Sequence, residues 1–216
     1  KILQSPCIKG ITIRDDFSLF QEKYIPNGTL RTCGLFDPAV FCKDTYASII
    51  ASKKTDYIGL SIARDALFID NGIKFIDHDY LLNFWKNVAL ALDEKNIPWK
   101  ILTNGLAADE RFATEVLEYI KKGEKLDAPH SSQELVKNIH SFSAVIACRM
   151  HANIISYALG IPSIGLVWND KLRFWGEKIG YPKRFIPADQ LQAENVVEAL
   201  LKARKEGCRK VDFGKK

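Results

Sequence analysis

The sequence predicts an α/β fold, with a doubly wound parallel sheet of the Rossmann-like type. From residue 56 onward, short runs of almost entirely apolar residues alternate with longer segments whose apolar residues recur at helical spacing. Strands that lack polar alternation are typical of a parallel sheet covered by helices on both faces. At least five strand–helix units follow residue 55, so we expect residues 56–216 to form one domain.

The first 55 residues have a less regular pattern. The predicted elements are a strand, a helix and a second strand, at residues 10–13, 15–24 and 29–36. Pro26-Asn-Gly is a typical helix end. Because the chain begins with Lys1 and soon reaches a strand, we expect residues 1–55 to be a crossover region that belongs partly to an N-terminal domain outside this sequence.

In the regular part, strand and helix ends coincide with residues that favour them. The predicted strands are residues 57–63, 99–103, 144–148, 164–168 and 185–186. The predicted helices are residues 79–94, 108–121, 132–140, 152–159, 170–179 and 191–206. Pro98 starts one strand, Ser132 can cap a helix, and Gly160 with Pro162 ends another helix. Gly180-Tyr-Pro ends the helix before the last strand.

Composition excludes several classes of protein. The chain has 216 residues, 47% of them hydrophobic and 26% charged, which is ordinary for a globular protein. Its five cysteines are odd in number and include no C-x-x-C pair, so we expect neither a disulfide framework nor a zinc site, and a cytoplasmic location. The net charge of +5 is not gathered into a basic stripe with aromatics, so no nucleic-acid partner is predicted. The apolar runs are too short for a transmembrane segment.

The segment from residue 143 to residue 171 is the most informative. It combines a buried strand, a turn with Arg149 and His151, a helix of small residues, a second buried strand and then Lys171. Arg64 ends the first regular strand. Because parallel strands end at one edge of a sheet, we expect these four side chains to lie at the edge where open α/β sheets bind ligands. Helix N-termini at that edge also favour anions, so the sequence predicts a site for a small anionic molecule.

Each of these residues also has an interpretation without function. Arg64 could pair with Asp65 or another nearby carboxylate, His151 could bond to the backbone at a helix start, and Lys171 could be a solvated surface residue. Cys148 is interpreted as a small core thiol rather than a nucleophile. The histidines and carboxylates lack metal-ligand spacing, so no metal site is predicted.

Several motifs together resemble the polysaccharide pyruvyl transferase family. They are Thr12–Ser18, Phe36-Asp-Pro-Ala, Ile62-Ala-Arg, Arg149-Met-His, Gly160-Ile-Pro and Asn169-Asp-Lys. No single motif is specific, but their order matches the family over most of residues 10–180. Met150 stands where members often have Leu. The resemblance is interpreted as one to the C-terminal, donor-binding part of the family.

The resemblance implies a fold, a reaction and roles. The fold would be that of the C-terminal domain of a two-domain GT-B-type transferase. The reaction moves a pyruvyl group from phosphoenolpyruvate to a saccharide acceptor, forming a ketal in exopolysaccharide or cell-wall polymer synthesis, with no cofactor. Arg64, Arg149 and Lys171 would bind substrate, and His151 would transfer a proton or contact the leaving phosphate. Such synthesis implies the cytoplasmic face of a membrane, with peripheral association.

Two other functions remain open at this point. A nucleotide-sugar glycosyltransferase of the same architecture would need a carboxylate for the donor ribose, and Glu177 is the nearby candidate. A non-catalytic domain that binds a sugar or a partner would keep the fold without the chemistry. The acceptor sugar is not predicted by the sequence.

Overall fold

The computed structural model describes residues 2–25, 28, 30–48, 50 and 55–208. The described residues up to Pro38 form one compact unit, and those from Ala39 onward form another. The sequence places a domain boundary near residue 55 instead. The assignment of residues 1–55 to a crossover region and of residues 56–216 to a domain stays a prediction.

The smaller unit has two parallel strands and one helix. They are β1 (Ile11–Ile13), α1 (Phe17–Tyr24) and β2 (Thr32–Gly34), with Ile11 paired to Thr32. Asp16 accepts the amide hydrogen of Leu19 at 3.0 Å and so caps α1. Strand β2 is shorter than the strand predicted at residues 29–36. Residue 29, like Pro26 and Asn27, lies outside the described residues.

The larger unit is built on a five-stranded parallel sheet. Its strands are β3 (Ile58–Ser61), β4 (Trp99–Leu102), β5 (Ala144–Ala147), β6 (Ser163–Val167) and β7 (Phe185–Pro187). A short helix, α2 (Cys42–Thr45), precedes the sheet. The later helices are α3 (His78–Glu94), α4 (Ala107–Ile120), α5 (Ser132–His140), α6 (Met150–Ala158), α7 (Asp170–Lys178) and α8 (Ala193–Glu206). The predicted Rossmann-like α/β fold is confirmed for this unit.

Helices cover both faces of the sheet. Successive residues of β5 alternate between two clusters of buried side chains: Ala144 and Ile146 belong to one, Val145 and Ala147 to the other. Apolar side chains of α3, α4 and α8 belong to the first cluster, and those of α5 and α6 to the second. This double burial explains why the strands lack polar alternation. None of the described helices is long and apolar enough to cross a bilayer.

Some predicted boundaries were wrong by one or two residues. Ser131, not Ser132, caps α5: its backbone is extended and its hydroxyl accepts the Glu134 amide hydrogen at 3.1 Å. Helix α6 starts at Met150 rather than residue 152, because Arg149 still has an extended backbone and the backbone N–H of Asn153 donates to the Arg149 carbonyl at 3.3 Å. His151 therefore lies inside the first turn of α6.

A methyl group added at Gly59 tests the packing of β3. A Cβ atom there would lie 2.9 Å from Cδ2 of Phe142 and 3.1 Å from Cδ2 of Leu102, both of which are buried. We expect Gly59→Ala to lower the free energy of unfolding by about 1–3 kcal/mol, measured by urea denaturation. Gly59→Ala should cost less unfolding free energy in a chain that also carries Phe142→Leu than it does in the native chain. An unchanged unfolding free energy for Gly59→Ala would contradict this account.

Candidate functional site

The chain reverses its direction across the sheet between β3 and β5. The strand order is β4-β3-β5-β6-β7, so the chain leaves β3 toward one side of the sheet and returns to β5 on the other. The last residues of these strands, Ser61 and Ala147, are paired in register. Arg64 follows β3 and Arg149 follows β5, so both lie at the switch point, where open α/β sheets bind their ligands.

A buried carboxylate connects the two arginines. Oδ2 of Asp109 accepts from Nε of Arg149 at 2.9 Å, and Oδ1 accepts from Nη2 of Arg149 at 2.5 Å. Oδ1 also accepts the backbone amide hydrogen of Arg64 at 2.9 Å. The side chain of Asp109 has 0% exposure and that of Arg149 has 19%. This carboxylate is therefore shared by the segments that follow β3 and β5.

Sequence reasoning missed Asp109, although a signal for it exists. Asp109 lies in the first turn of α4, where an acidic residue is usually solvated. However, it shares one helical face with Phe112, Ala113 and Val116, all of them buried. A carboxylate in register with a buried face must have a partner, since unpaired buried charges are costly. That pattern indicates a cationic or hydrogen-bond-donating partner elsewhere in the chain.

The Arg64 guanidinium pairs with a different acid. Its Nη2 lies 2.5 Å from Oδ2 of Asp70, and the two side chains are 33% and 50% exposed. The interpretation that Arg64 pairs with a nearby carboxylate is thus confirmed, with Asp70 in place of Asp65. A pair this exposed contributes little to stability, so an anionic ligand can compete with Asp70 for the guanidinium.

His78 bridges two carboxylates next to Arg64, and sequence reasoning gave it no role. Its Nδ1 lies 3.0 Å from Oδ2 of Asp65, and its Nε2 lies 2.9 Å from Oε1 of Glu115. Only the imidazolium form can donate from both nitrogens. The hydrogen bond to Asp65, with the charges of Glu115, Asp65 and Asp79, raises the pKa of His78 despite some desolvation.

The other two predicted residues share the same edge. His151 lies in the first turn of α6, after β5, and Lys171 lies in the first turn of α7, after β6. Both side chains are exposed. The structure thus joins Arg64 and Arg149 through Asp109, and it places His151 and Lys171 on adjoining elements at that edge rather than on that carboxylate. The binding and catalytic roles of all four residues stay predictions.

Side chains from α6 and from the residue directly after β6 hold the turn that presents Arg149. The buried Asn153 donates from Nδ2 to the carbonyls of Ala147 and Arg149, both at 3.1 Å. Trp168 donates from Nε1 to the carbonyl of Cys148 at 2.7 Å. Three consecutive carbonyls therefore receive side-chain donors, which fixes the backbone on both sides of Arg149. The indole N–H of Trp168 is thus occupied by its hydrogen bond to this turn. Trp175, in α7, is buried.

Cys148 is a core thiol. It is 2% exposed, and burial raises its pKa to about 12. Cys42 is also buried, and its pKa is raised to about 11 for the same reason. A thiolate is the reactive form of cysteine, so neither residue is equipped as a nucleophile at neutral pH. Within the part of the chain that the structure describes, no group of three or more potential metal ligands is found.

Native thiol labelling tests this assignment. We expect Cys7 and Cys33, which are exposed, to react with a thiol reagent at pH 7 in the folded chain, while Cys148 and Cys42 react only after denaturation. Mass spectrometry of the labelled peptides identifies the sites. Fast labelling of Cys148 in the folded chain would reopen its interpretation as a nucleophile.

The His78 bridge predicts a pH dependence of stability. Because the pKa of His78 is raised above its ordinary value of 6.5, the bridge stabilises the fold fully below that value and is lost as pH rises through the folded-state pKa. We expect the difference in unfolding free energy between the native chain and His78→Gln to be largest near pH 6 and to shrink as pH rises through the folded-state pKa of His78. Urea denaturation at a series of pH values from about 6 upward measures it.

His130→Gln is the matched control, because His130 is an exposed histidine on the loop before α5. It should show no comparable trend. A stability difference for His78→Gln that stays constant with pH would refute the bridge as the source of the effect.

Comparisons with known proteins agree with the motifs. The family model for polysaccharide pyruvyl transferase matches residues 1–170. The match covers the N-terminal part of this chain, starting at its first residue, rather than the C-terminal part to which the resemblance was assigned. It includes Arg64, Arg149 and His151 and ends immediately before Lys171. No curated protein matches the chain.

A comparison with solved structures gives a match at low sequence identity. It is a chain from the crystal structure of accessory secretory protein 1, 2 and 3 in Streptococcus pneumoniae, with a TM-score of 0.49 and 15% identity. The alignment covers 92% of this chain and 39% of that one. The family match, by contrast, spans most of the sequence and the switch-point residues, and on that ground the chain belongs to the polysaccharide pyruvyl transferase family.

Proposed function

We propose that this chain binds phosphoenolpyruvate at the switch point and serves in pyruvyl transfer to a saccharide, in exopolysaccharide or cell-wall polymer synthesis. The observation that carries the proposal is the pair of arginine-bearing segments held by Asp109 at the carboxyl edge of β3 and β5. Membership of the family supports the transfer reaction. The identity of the donor as phosphoenolpyruvate is part of the proposal.

The site suits a donor with two anionic groups. Phosphoenolpyruvate carries a carboxylate and a phosphate, and guanidinium groups bind both with paired hydrogen bonds. Arg149 is fixed by Asp109, while Arg64 can exchange Asp70 for a ligand oxygen. Lys171 adds a third cation, and the N-terminus of α6 adds backbone N–H groups.

The reaction balances with groups that this edge supplies. Protonation of the methylene carbon of phosphoenolpyruvate creates an electrophilic carbon, to which a sugar hydroxyl adds with loss of its proton, so that the proton consumed is returned. A second hydroxyl of the sugar then displaces phosphate and closes the ketal, and its proton passes to the departing phosphate. His151 is the proposed group for proton transfer or for contact with the leaving phosphate. These steps call for no cofactor.

The surrounding architecture is proposed from the family alone. We take the larger unit as the donor-binding domain of a two-domain GT-B-type transferase, with the saccharide acceptor bound mainly by the other domain. We take this transferase as a cytoplasmic enzyme associated peripherally with the membrane.

The glycosyltransferase alternative finds no support at the site. Its candidate carboxylate, Glu177, pairs with Arg173 at 2.9 Å on the exposed side of α7. It lies about 10 Å along the axis from the start of that helix, away from the carboxyl edge of the sheet. A donor ribose at the switch point would therefore be out of its reach.

Substitution of the two arginines tests the donor site. Arg149→Ala is unsuitable, because it would leave the buried charge of Asp109 unpaired and would destabilise the fold. Arg149→Lys keeps the charge but loses the planar guanidinium, and Arg64→Gln removes a half-exposed charge. We expect each to weaken phosphoenolpyruvate binding about 10-fold or more, because a hydrogen bond to a charged group contributes about 1.5–3 kcal/mol. Calorimetric titration of the full chain measures the affinities.

Arg173→Gln is the matched control, since Arg173 is an exposed, ion-paired arginine of α7 outside the switch point. It should bind like the native chain. Native affinity in both Arg149→Lys and Arg64→Gln, or no binding by the native chain, would sink the donor site. Binding of UDP-glucose instead would favour the glycosyltransferase, and phosphoenolpyruvate binding without turnover beside a saccharide would favour a non-catalytic domain.

A further inference from the structure

Asp109 occupies one particular edge of the Arg149 guanidinium. Its two oxygens meet Nε and Nη2, which is the lateral edge of the group. Among the described residues, Nη1 of Arg149 has no hydrogen-bond partner, and the side chain keeps 19% exposure. The terminal edge, formed by Nη1 and the second hydrogen of Nη2, is therefore the one available to a ligand.

The same carboxylate sets the position of the segment after β3. Oδ1 of Asp109 accepts from the Arg64 amide and from Nη2 of Arg149. Asp109 belongs to α4, Arg64 follows β3 and Arg149 follows β5, so one buried group connects three segments that are distant in sequence. With no solvent exposure, the carboxylate is held by these donors and in turn restricts them.

We propose that Asp109 is the positioning residue of this site, which fixes Arg149 so that its terminal edge faces the ligand and holds the Arg64 segment beside it. Asp109 itself does not touch the ligand. The identity of the ligand rests on the proposed function, but the orientation of Arg149 does not. A small ligand carboxylate or phosphate would thus meet two parallel N–H donors in a preset geometry, with little ordering left to be done on binding.

Asp109→Asn separates this role from simple packing. The asparagine side chain has nearly the same shape as aspartate, but it carries no charge. Its NH2 group replaces one acceptor oxygen and so faces N–H donors of Arg149 or Arg64. Glu110→Gln is the matched control: it makes the same change at the next residue of α4, whose carboxylate binds Lys125 at 2.6 Å rather than an arginine of the site.

The first readout needs no ligand. In the native chain we expect the Nε–H group of Arg149, assigned with Arg149→Lys, to have a high NMR order parameter. It should become mobile in Asp109→Asn and stay rigid in Glu110→Gln. The second readout is the affinity for phosphoenolpyruvate, which should fall about 10-fold in Asp109→Asn and stay unchanged in Glu110→Gln. In the Arg149→Lys background, Asp109→Asn should cause much less further loss.

Four outcomes would overturn the proposal: a mobile Arg149 Nε–H in the native chain, a rigid one in Asp109→Asn, unchanged affinity in Asp109→Asn, or equal losses in the two amide variants. Should Asp109→Asn not fold, Asp109→Glu keeps the charge but displaces the carboxylate, and the same readouts apply. If the native chain binds no phosphoenolpyruvate, the proposed donor fails, while the order parameters still decide whether Asp109 positions Arg149.

Discussion

The buried contact between Asp109 and Arg149 is the constraint on which the candidate site depends. Burying a carboxylate is unfavourable unless strong donors replace water, and here three N–H groups do so. The parallel sheet makes this contact possible, because β3, β4 and β5 all end at one edge. In return, the contact fixes the mutual position of the loops that leave that edge. Fold and site are therefore linked through one side chain.

Side-chain hydrogen bonds also fix the backbone of the site. The turn that carries Arg149 receives side-chain hydrogen bonds from Asn153, in the helix that follows it, and from Trp168, which comes directly after β6. Arg64, in contrast, uses its main chain for the fixed contact and its half-exposed guanidinium for Asp70. One arginine is thus preorganised and the other can exchange partners, which suits a ligand with two anionic ends.

The sequence was most informative where structure depends on short-range patterns. Strands, helices and the edge position of Arg64, Arg149, His151 and Lys171 follow from apolar periodicity and from the rule that parallel strands end together. The partners of these residues come from distant segments, and no local pattern identifies them. For Asp109, the sequence shows only that a carboxylate lies on a buried helical face. The bridge from His78 to Asp65 and Glu115 involves exposed groups on three segments, so it had no signal in sequence.

The carboxylates that pair with these cationic side chains change how an anion would bind at this edge. The sequence suggests a cluster of free cations, but the structure shows the arginines and His78 already facing Asp70, Asp109, Asp65 and Glu115. The edge is therefore not a uniformly positive patch. Under the proposed function, the attraction for a doubly charged donor would come from fixed N–H directions, from a replaceable Asp70 and from Lys171. Such a site would select a ligand by geometry more than by charge, and a singly charged anion would gain little from it.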